Sequence, residues 1–404
     1  MPGPFSLEQV QSALREFGVD GWLLYDFRGL NILARRVLGL DPSNTGSRRF
    51  FYAIPAEGEP VKLVHRIEAG ALDSLPGRKV VYLKWQELEA GVAEALKSMK
   101  RTGDVKKVAM EYSPRNGNPY VSRVDAGTVE LVRSCGAEVV SSGDLIQRFE
   151  AVWSDDQWRM HQEAAVHTNS AYDVAWSFIA DRIRTAGSVT EVQVRDVIMG
   201  HFAKHGLTTY HPPIVAVNGH AGDPHYDTGT GKDTTIRPND FVLIDLWAKL
   251  DQPNAVYSDL TRTGFVGETV PEKYTTVFKI VAAARDAAIQ FVKEAFAAGR
   301  PIQGWEVDNA CRDVIEKAGY GPQFVHRTGH SIGQEVHGNG ANIDGLETRE
   351  DRRILRRTCF SIEPGIYLSD FGIRSEVDVY IDGEGIVHVT GGELQTDVVP
   401  ILRK

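Results

Sequence analysis

The sequence predicts an α/β domain followed by an α+β domain. In residues 1–154, short apolar runs typical of strands alternate with segments of helical periodicity, which is the pattern of an α/β domain. Ser154 begins a helix N-cap pattern, and a long helix is predicted over residues 156–184. Paired helices and further strand-like runs follow it. We therefore expect the domains to be residues 1–154 and 155–404.

The individual elements follow from apolar periodicity and from turn residues. A hairpin is predicted where a Pro- and Gly-containing run separates two strands. In the first domain we expect helices at 6–17, 87–100 and 121–134 and strands at 22–25, 50–54, 61–65, 80–83 and 107–111. In the second domain we expect further helices at 190–206, 271–298 and 304–318 and strands near 241–249 and 256–265.

Five residues of the second domain carry the strongest functional prediction. Each lies in a short segment that reads as a strand or a tight turn, and a charge in such a segment is costly to bury unless it is paired or holds a metal. Four carboxylates and one imidazole suit two adjacent divalent cations, with some carboxylates bridging both. The residues are Asp245, Asp259, His330, Glu363 and Glu376.

Each of these residues also has a plainer interpretation when taken alone. Asp245 follows an apolar run and could be half of a structural ion pair, and Asp259 could be a turn residue paired with Arg262. Glu363 precedes Pro364-Gly365 at a turn, Glu376 could face solvent, and His330 could be a polar loop residue. Their joint occurrence favours the metal site.

The five segments, in this order, resemble the pita-bread metallopeptidase family, which includes methionine aminopeptidase, aminopeptidase P, prolidase and the metal-free relative creatinase. The resemblance covers residues 155–404, and it rests on Ser258-Asp259-x-Thr261-Arg262-Thr263, on Glu363-Pro364-Gly365-Ile366-Tyr367 and on Arg374 before Glu376. The first 150 residues resemble the N-terminal domain of the aminopeptidase P, prolidase and creatinase branch, which methionine aminopeptidases lack.

The resemblance implies a pita-bread fold for the second domain and a role for each ligand. It implies that Asp245 binds the first metal, that His330 and Glu363 bind the second, and that Asp259 and Glu376 bridge both. It further implies that Glu363 is the general base.

Three residues outside the ligand set also match the family site. The resemblance implies that His225 and His337 contact the substrate and that Arg374 orders the last glutamate. A polar loop residue is the plainer interpretation of His225, although loops on a rigid scaffold commonly carry function.

Four departures from the family pattern leave the substrate open. Trp247 stands where a small residue is usual, and the connection between the two aspartates is longer, from Lys249 to Ala255. Ser331 replaces a glycine, and Gly338 replaces a common acidic residue. On a regular strand, Trp247 would share a face with Asp245; a bulge would instead turn it into the core.

The resemblance implies a dinuclear hydrolase, an Xaa-Pro aminopeptidase or dipeptidase that uses a metal-bridging hydroxide on short peptides with proline second. Manganese is the expected metal, and cobalt, zinc and iron also suit such a site. A homodimer or homotetramer is expected. Two alternatives are a pita-bread enzyme for a small non-peptide metabolite and a non-catalytic peptide-binding module, which the intact ligand set disfavours.

Composition excludes several other classes. The net charge of −9 argues against nonspecific nucleic-acid binding, and no apolar run approaches the ~20 residues of a membrane helix. The start lacks the features of a signal peptide, and the three cysteines show neither zinc spacing nor a disulfide framework, so we expect a cytoplasmic protein. His201 and His205 are spaced i, i+4 and could share a metal, but without a third partner nearby in sequence a helix-surface pair is the favoured interpretation.

Overall fold

The computed structural model describes residues 5–41, 43–100, 102–230 and 233–403. The chain divides into two compact units, residues 1–150 and 151–404. The predicted domain boundary lay a few residues further along the chain, at the start of the long helix.

The first unit is an α/β structure around one mixed six-stranded sheet. The sheet order is β4-β3-β2-β1-β5-β6, in which β1 pairs antiparallel with β2 and parallel with β5. In chain order the elements are α1 (Leu7–Glu16), β1 (Gly21–Asp26), α2 (Ile32–Val37), β2 (Phe50–Pro55), β3 (Val61–His65), β4 (Arg78–Tyr82), α3 (Trp85–Lys97), β5 (Lys106–Met110), α4 (Ala126–Ser134), β6 (Ala137–Ser141) and α5 (Gly143–Glu150).

The predicted helix at 121–134 was wrong at its start. The helix α4 begins after Asp125, whose side chain accepts the backbone N–H of Thr128 at 2.9 Å and so caps the first turn. The short elements α2, β6 and α5 were not predicted. Each spans eight residues or fewer, and periodicity is a weak indicator over so short a segment.

The second unit combines long helices with short, mostly antiparallel strands. The strand β11 pairs with β12, β9 and β8, and a separate sheet has the order β13-β14-β17-β18. The elements are α6 (Asp155–Ala186), β7 (Val189–Thr190), α7 (Glu191–Lys204), β8 (Leu207–Thr208), β9 (Ile214–Val217), β10 (Thr235–Ile236), β11 (Phe241–Leu250), β12 (Ser258–Phe265), α8 (Glu272–Ala297), α9 (Gly304–Lys317), β13 (Ser331–Ile332), β14 (Cys359–Ile362), β15 (Gly365–Tyr367), β16 (Gly372–Arg374), β17 (Val377–Ile381), β18 (Val387–Thr390) and β19 (Val399–Pro400).

The helix α6 fixes the position of the strands that carry the two predicted aspartate ligands. Ser154 caps the start of this helix, as the sequence predicts, and Gln157 completes a capping box with it. Further along, the Tyr172 hydroxyl donates to the Leu260 carbonyl oxygen at 2.5 Å, and Thr168 Oγ1 lies 2.9 Å from Ser258 Oγ. These buried bonds hold the helix against β12 in one register.

Each helix pair of the second unit packs against strands through its own apolar core. One cluster packs α8 and α9 against β14–β17, and another packs α6 and α7 against β9, β11 and β12. None of the helices in the part of the chain that the structure describes combines the length and apolar character that a bilayer crossing requires.

Candidate metal centre

The two predicted aspartate ligands lie on neighbouring strands and share one face of the sheet. The register between β11 and β12 is regular, with Asp245 opposite Thr261 and Trp247 opposite Asp259. Residues directly opposite each other in an antiparallel pair point to the same side, and so do residues two apart on one strand. Both aspartates are buried, and Oδ1 of each lacks a hydrogen-bond partner among the described residues.

His330 lies immediately before β13 and reaches Asp259 from the second sheet. Its Nε2 is 3.5 Å from Asp259 Oδ2 and 3.4 Å from Glu363 Oε1, and its backbone N–H donates to Ser361 Oγ at 3.0 Å. A Cβ on Gly329 would collide with the carbonyl oxygen of Ser361, so the chain before His330 approaches β14 this closely only with glycine there.

Glu363 occupies the turn between β14 and β15. Pro364 and Gly365 follow it, and its backbone N–H donates to the Thr328 carbonyl oxygen at 2.8 Å, which ties the turn to the loop before His330. Ser361 Oγ donates to Glu363 Oε1 at 3.1 Å. Of the five predicted ligands, Glu363 alone is partly exposed rather than buried.

Glu376 lies between β16 and β17 and points at the same centre. Thr261 Oγ1 donates to Glu376 Oε2 at 2.7 Å, and the Glu376 backbone N–H donates to the Thr261 carbonyl oxygen at 3.2 Å. Thr261 therefore connects the last glutamate to the strand that carries Asp259.

The donor set fits divalent cations. Asp259, His330 and Glu376 are buried, and each offers a ligand atom such that the three atoms lie within 4.8 Å of one another. Burial, together with the surrounding carboxylates, raises the pKa of Asp259 and of Glu376 well above their ordinary values. Carboxylates packed this closely need a compensating cation to remain ionised, and the unpartnered oxygens of Asp245 and Asp259 are free to ligate one.

Arg374 is the buried cation among these carboxylates. Its Nη2 pairs with Asp245, its Nε donates to Thr261 Oγ1 at 3.0 Å, and Nε also lies 3.9 Å from Glu363 Oε2. Arg374 therefore reaches Glu376 through Thr261 rather than by a direct hydrogen bond, and it orders both halves of the site.

The two predicted substrate histidines have different surroundings. The His337 ring packs edge-on against His330, with 4.4 Å between ring centroids. Desolvation of the ring, followed by the neighbouring His330, lowers the pKa of His337. The residue as a whole is nevertheless exposed to solvent. His225 is exposed, and among the described contacts no hydrogen bond joins its side chain to the five predicted ligands. Its loop follows the 3-10 helix Asn218–Gly222, which packs against β16, the strand that carries Arg374.

Trp247 faces the ligand side of β11, because the strand pairing contains no bulge. It is nevertheless buried in an apolar cluster with Tyr257 and Ile332, without the bulge that the core interpretation required. The His211 ring stacks near it at 6.0 Å, and the indole Nε1–H has no hydrogen-bond partner among the described residues. Trp247 therefore forms a wall beside Asp259.

Three supporting residues received no role from the sequence. Thr261 joins Glu376 to Arg374, and the Tyr367 hydroxyl accepts from Arg374 Nη1 at 3.0 Å and lies 2.7 Å from His326 Nε2. Asp378 is fully buried and accepts the backbone N–H of Asp259 at 3.0 Å. The spacing of Glu376 and Asp378 in an apolar segment is the signal that could have drawn attention to Asp378, because residues two apart on a strand share a face.

A buried carboxylate cluster with one imidazole, built on two short sheets and held by helix pairs, defines a metal-dependent hydrolase. The model of metallopeptidase family M24 matches residues 159–383, and the chain belongs to this family. The fold of the second unit is the pita-bread fold, as the resemblance implied.

Individual relatives agree with this assignment. The YkvY protein of Bacillus subtilis is 31% identical over 285 residues, which are 68% of this chain and 72% of that protein. An Xaa-Pro dipeptidase of Lactobacillus delbrueckii subsp. lactis is 26% identical over 98% of this chain and 99% of its own. The crystal structure of dipeptidase PepE from Mycobacterium ulcerans shares the fold, with a TM-score of 0.64 at 22% identity over 97% of this chain and 96% of that one.

Proposed function

We propose that this protein is a dinuclear metallopeptidase that cleaves Xaa-Pro bonds in short peptides. The observation that carries the proposal is the convergence of buried ligand atoms from Asp259, His330 and Glu376, beside the unpartnered oxygen of Asp245. The near full-length likeness to an Xaa-Pro dipeptidase supports the choice of peptide bond.

The ligands divide into two terminal groups and two bridges. Asp245 would hold one ion, His330 and Glu363 would hold the other, and Asp259 and Glu376 would bind both. The position of Asp259 supports a bridging role, since it lies opposite Trp247 on the Asp245 face and also within 3.5 Å of His330 Nε2. Divalent ions at such a centre supply Lewis acidity and a water of lowered pKa.

Glu363 is the general base that accepts a proton from the attacking water. Its partial exposure gives substrate and water access to its carboxylate, whereas the other four predicted ligands are buried. Ser361 Oγ and Arg374 Nε hold Glu363 on opposite oxygens, at 3.1 Å from Oε1 and 3.9 Å from Oε2, and so fix its orientation for proton transfer. Ser361 and Arg374 act here as positioning residues.

His337 and His225 contact the substrate. The packing of the His337 ring against His330 supports a role as a donor that stabilises charge developing on the scissile carbonyl oxygen. His225 lies on the loop beside β16 and is suited to the leaving-group side, because its exposed ring is free to meet a bound peptide. Trp247 limits the space next to Asp259.

Manganese is the proposed native metal, because carboxylate-rich sites with few nitrogens suit manganese and because the single imidazole does not select strongly for zinc. A homodimer or homotetramer in the cytoplasm is proposed with it.

A substrate panel tests the proposal. Purified protein with added Mn²⁺ is assayed on Xaa-Pro dipeptides, on Xaa-Pro-Yaa tripeptides and on matched peptides with alanine in place of proline. Hydrolysis restricted to proline peptides is expected, and the preferred length separates dipeptidase from aminopeptidase. Faster cleavage of the alanine peptides contradicts the proposed preference for proline. Cleavage of none contradicts the proposal and favours a small non-peptide substrate shaped by Trp247.

A further inference from the structure

A second cluster of metal-ligating side chains lies outside the candidate metal centre. His167 on α6, His201 on α7 and His205 at the C-terminal end of α7 each offer a ring nitrogen, and the three ligand atoms lie within 4.8 Å of one another. All three residues are partly exposed, so an ion in solvent can reach them. They share no residue with the carboxylate centre.

The fold brings a third histidine to His201 and His205, which have no further partner nearby in the sequence. His201 and His205 lie one helical turn apart, which places them on one face, and their ring centroids are 4.5 Å apart. The packing of α6 against α7 adds His167, whose ring stacks on that of His205 at 4.3 Å. Residues separated by more than 30 positions in the sequence thus meet in one place.

One ring of the cluster, that of His201, has contacts of the kind that orient metal-binding histidines. Nε2 of His201 lies 3.2 Å from the His167 carbonyl oxygen and 3.0 Å from Ser170 Oγ. A ring that donates from Nε2 to a carbonyl oxygen presents Nδ1 as the ligand atom, and such bonds fix the orientation of metal-ligating imidazoles.

Two of the three rings, those of His167 and His201, are also disposed to be neutral. Partial burial, followed by the charge of His205, lowers the pKa of His167 and of His201. A neutral imidazole is the form that binds a metal, so little proton release opposes binding near pH 7. Among the charged neighbours, Glu163 opposes this shift at His167 and Lys204 reinforces it at His201.

We infer that His167, His201 and His205 form a zinc site that fastens α6 to the end of α7, with the fourth position left to solvent. Imidazole suits zinc, copper and nickel better than manganese, so this cluster and the carboxylate centre differ in metal preference. Zn–N bonds of about 2.0–2.1 Å would require the ring nitrogens to lie roughly 3.4 Å apart, so the side chains would have to rotate from their present positions.

The location gives the ion a structural consequence. His205 lies two residues before β8, and β8 pairs with the end of β11, the strand that carries Asp245 and Trp247. An ion that joins His205 to α6 therefore restrains the connection between the helix pair and this strand. A zinc ion that binds the folded protein and not the unfolded chain raises the unfolding temperature.

Zinc binding by matched variants tests the inference. Metal-free wild type, His205→Ala, His167→Ala and the control His65→Ala, which lies outside the cluster, are compared by equilibrium dialysis against Zn²⁺ and by the Zn²⁺-induced shift in unfolding temperature. Wild type and His65→Ala are each expected to bind one zinc equivalent that the two cluster variants lack. If a cluster variant still binds this zinc, its affinity is expected to be lower by more than about 100-fold.

The comparison uses the difference between variants, so it does not depend on how many ions the carboxylate centre takes. Because each protein is compared with and without zinc, a variant that is less stable for other reasons still gives a readable shift. Equal zinc uptake and equal shifts in wild type and both cluster variants would overturn the inference, as would an equal loss in His65→Ala, which indicates nonspecific surface binding.

Discussion

The backbone N–H of Asp259 donates to Asp378 Oδ2 at 3.0 Å, so a fully buried carboxyl on β17 holds the strand that presents Asp259, a proposed metal ligand. Burial, followed by the neighbouring Asp259, raises the pKa of Asp378 well above its ordinary value. Asp378 thus serves as a hydrogen-bond acceptor for the backbone, and it lies two residues after the proposed ligand Glu376.

Asp378→Ala should weaken metal binding and stability together. The substitution leaves the Asp259 N–H buried without a partner, which costs about 1–3 kcal/mol in the free energy of unfolding. It also removes a hydrogen bond that positions Asp259, which lowers metal affinity by about 10–100-fold. Asp378→Asn keeps an acceptor of the same shape and should bind metal nearly as wild type does. Titration of Mn²⁺ into each apoprotein provides the measurement. If the alanine and asparagine variants bind alike, the hydrogen bond has no role in the site.

Glu376→Ala and Glu363→Gln should separate metal binding from proton transfer. Loss of Glu376 removes a bridge and leaves Asp259 alone between two cations, so both metal content and activity should fall. In Glu363→Gln the amide oxygen can still ligate but cannot accept a proton, so activity should fall while more of the metal remains. Metal analysis beside peptide hydrolysis checks this, and equal metal loss in both variants would show that the roles are wrongly divided.

His225→Ala and His337→Ala should retain metal and lose turnover. Neither ring belongs to the proposed ligand set, and removal of a group that stabilises developing charge lowers kcat by about 10²-fold or more. Metal content and kcat are measured on the same preparations. Loss of a metal equivalent from either variant would identify that histidine as a ligand.

Trp247→Ala should alter both substrate choice and stability. The indole forms a wall beside Asp259 and packs against Tyr257 and Ile332, so truncation should widen acceptance of bulky first residues and cost roughly 3–5 kcal/mol in the free energy of unfolding. Trp247→Phe retains most of the packing and should show a smaller change in both. Rates on Xaa-Pro peptides of increasing first-residue size, with thermal unfolding, provide the test; an unchanged profile in the alanine variant would make Trp247 a core residue only.

Stability should fall in acid partly through His161. Burial lowers the pKa of His161 to about 4, while Nδ1 lies 2.7 Å from the Tyr257 carbonyl oxygen. The unfolded chain binds this proton near pH 6.5 and the folded chain does not, so the stability present above pH 6.5 is lost as pH falls to about 4, by on the order of 3 kcal/mol. Denaturant unfolding of wild type and His161→Gln across this range measures it; parallel pH profiles would contradict the assignment.

The sequence was most informative where a charge interrupts an apolar run or precedes a turn. Asp245 after Phe241–Ile244 and Glu363 before Pro364-Gly365 were indicated in this way, because burial of a charge requires a reason. The bond between Thr261 and Glu376 was not foreseen, since it depends on how two separate hairpins pack. The approach of His167 to His205 was missed for the same reason: helix packing brings the two rings together, and spacing along one helix does not reveal it.

Anomalous diffraction at the manganese edge, from crystals of active protein grown with Mn²⁺, tests the dinuclear centre most directly. We expect two peaks, each in contact with both Asp259 and Glu376, with Asp245 on one side and His330 and Glu363 on the other. A single peak at this centre, or peaks that no carboxylate bridges, would contradict the proposed centre.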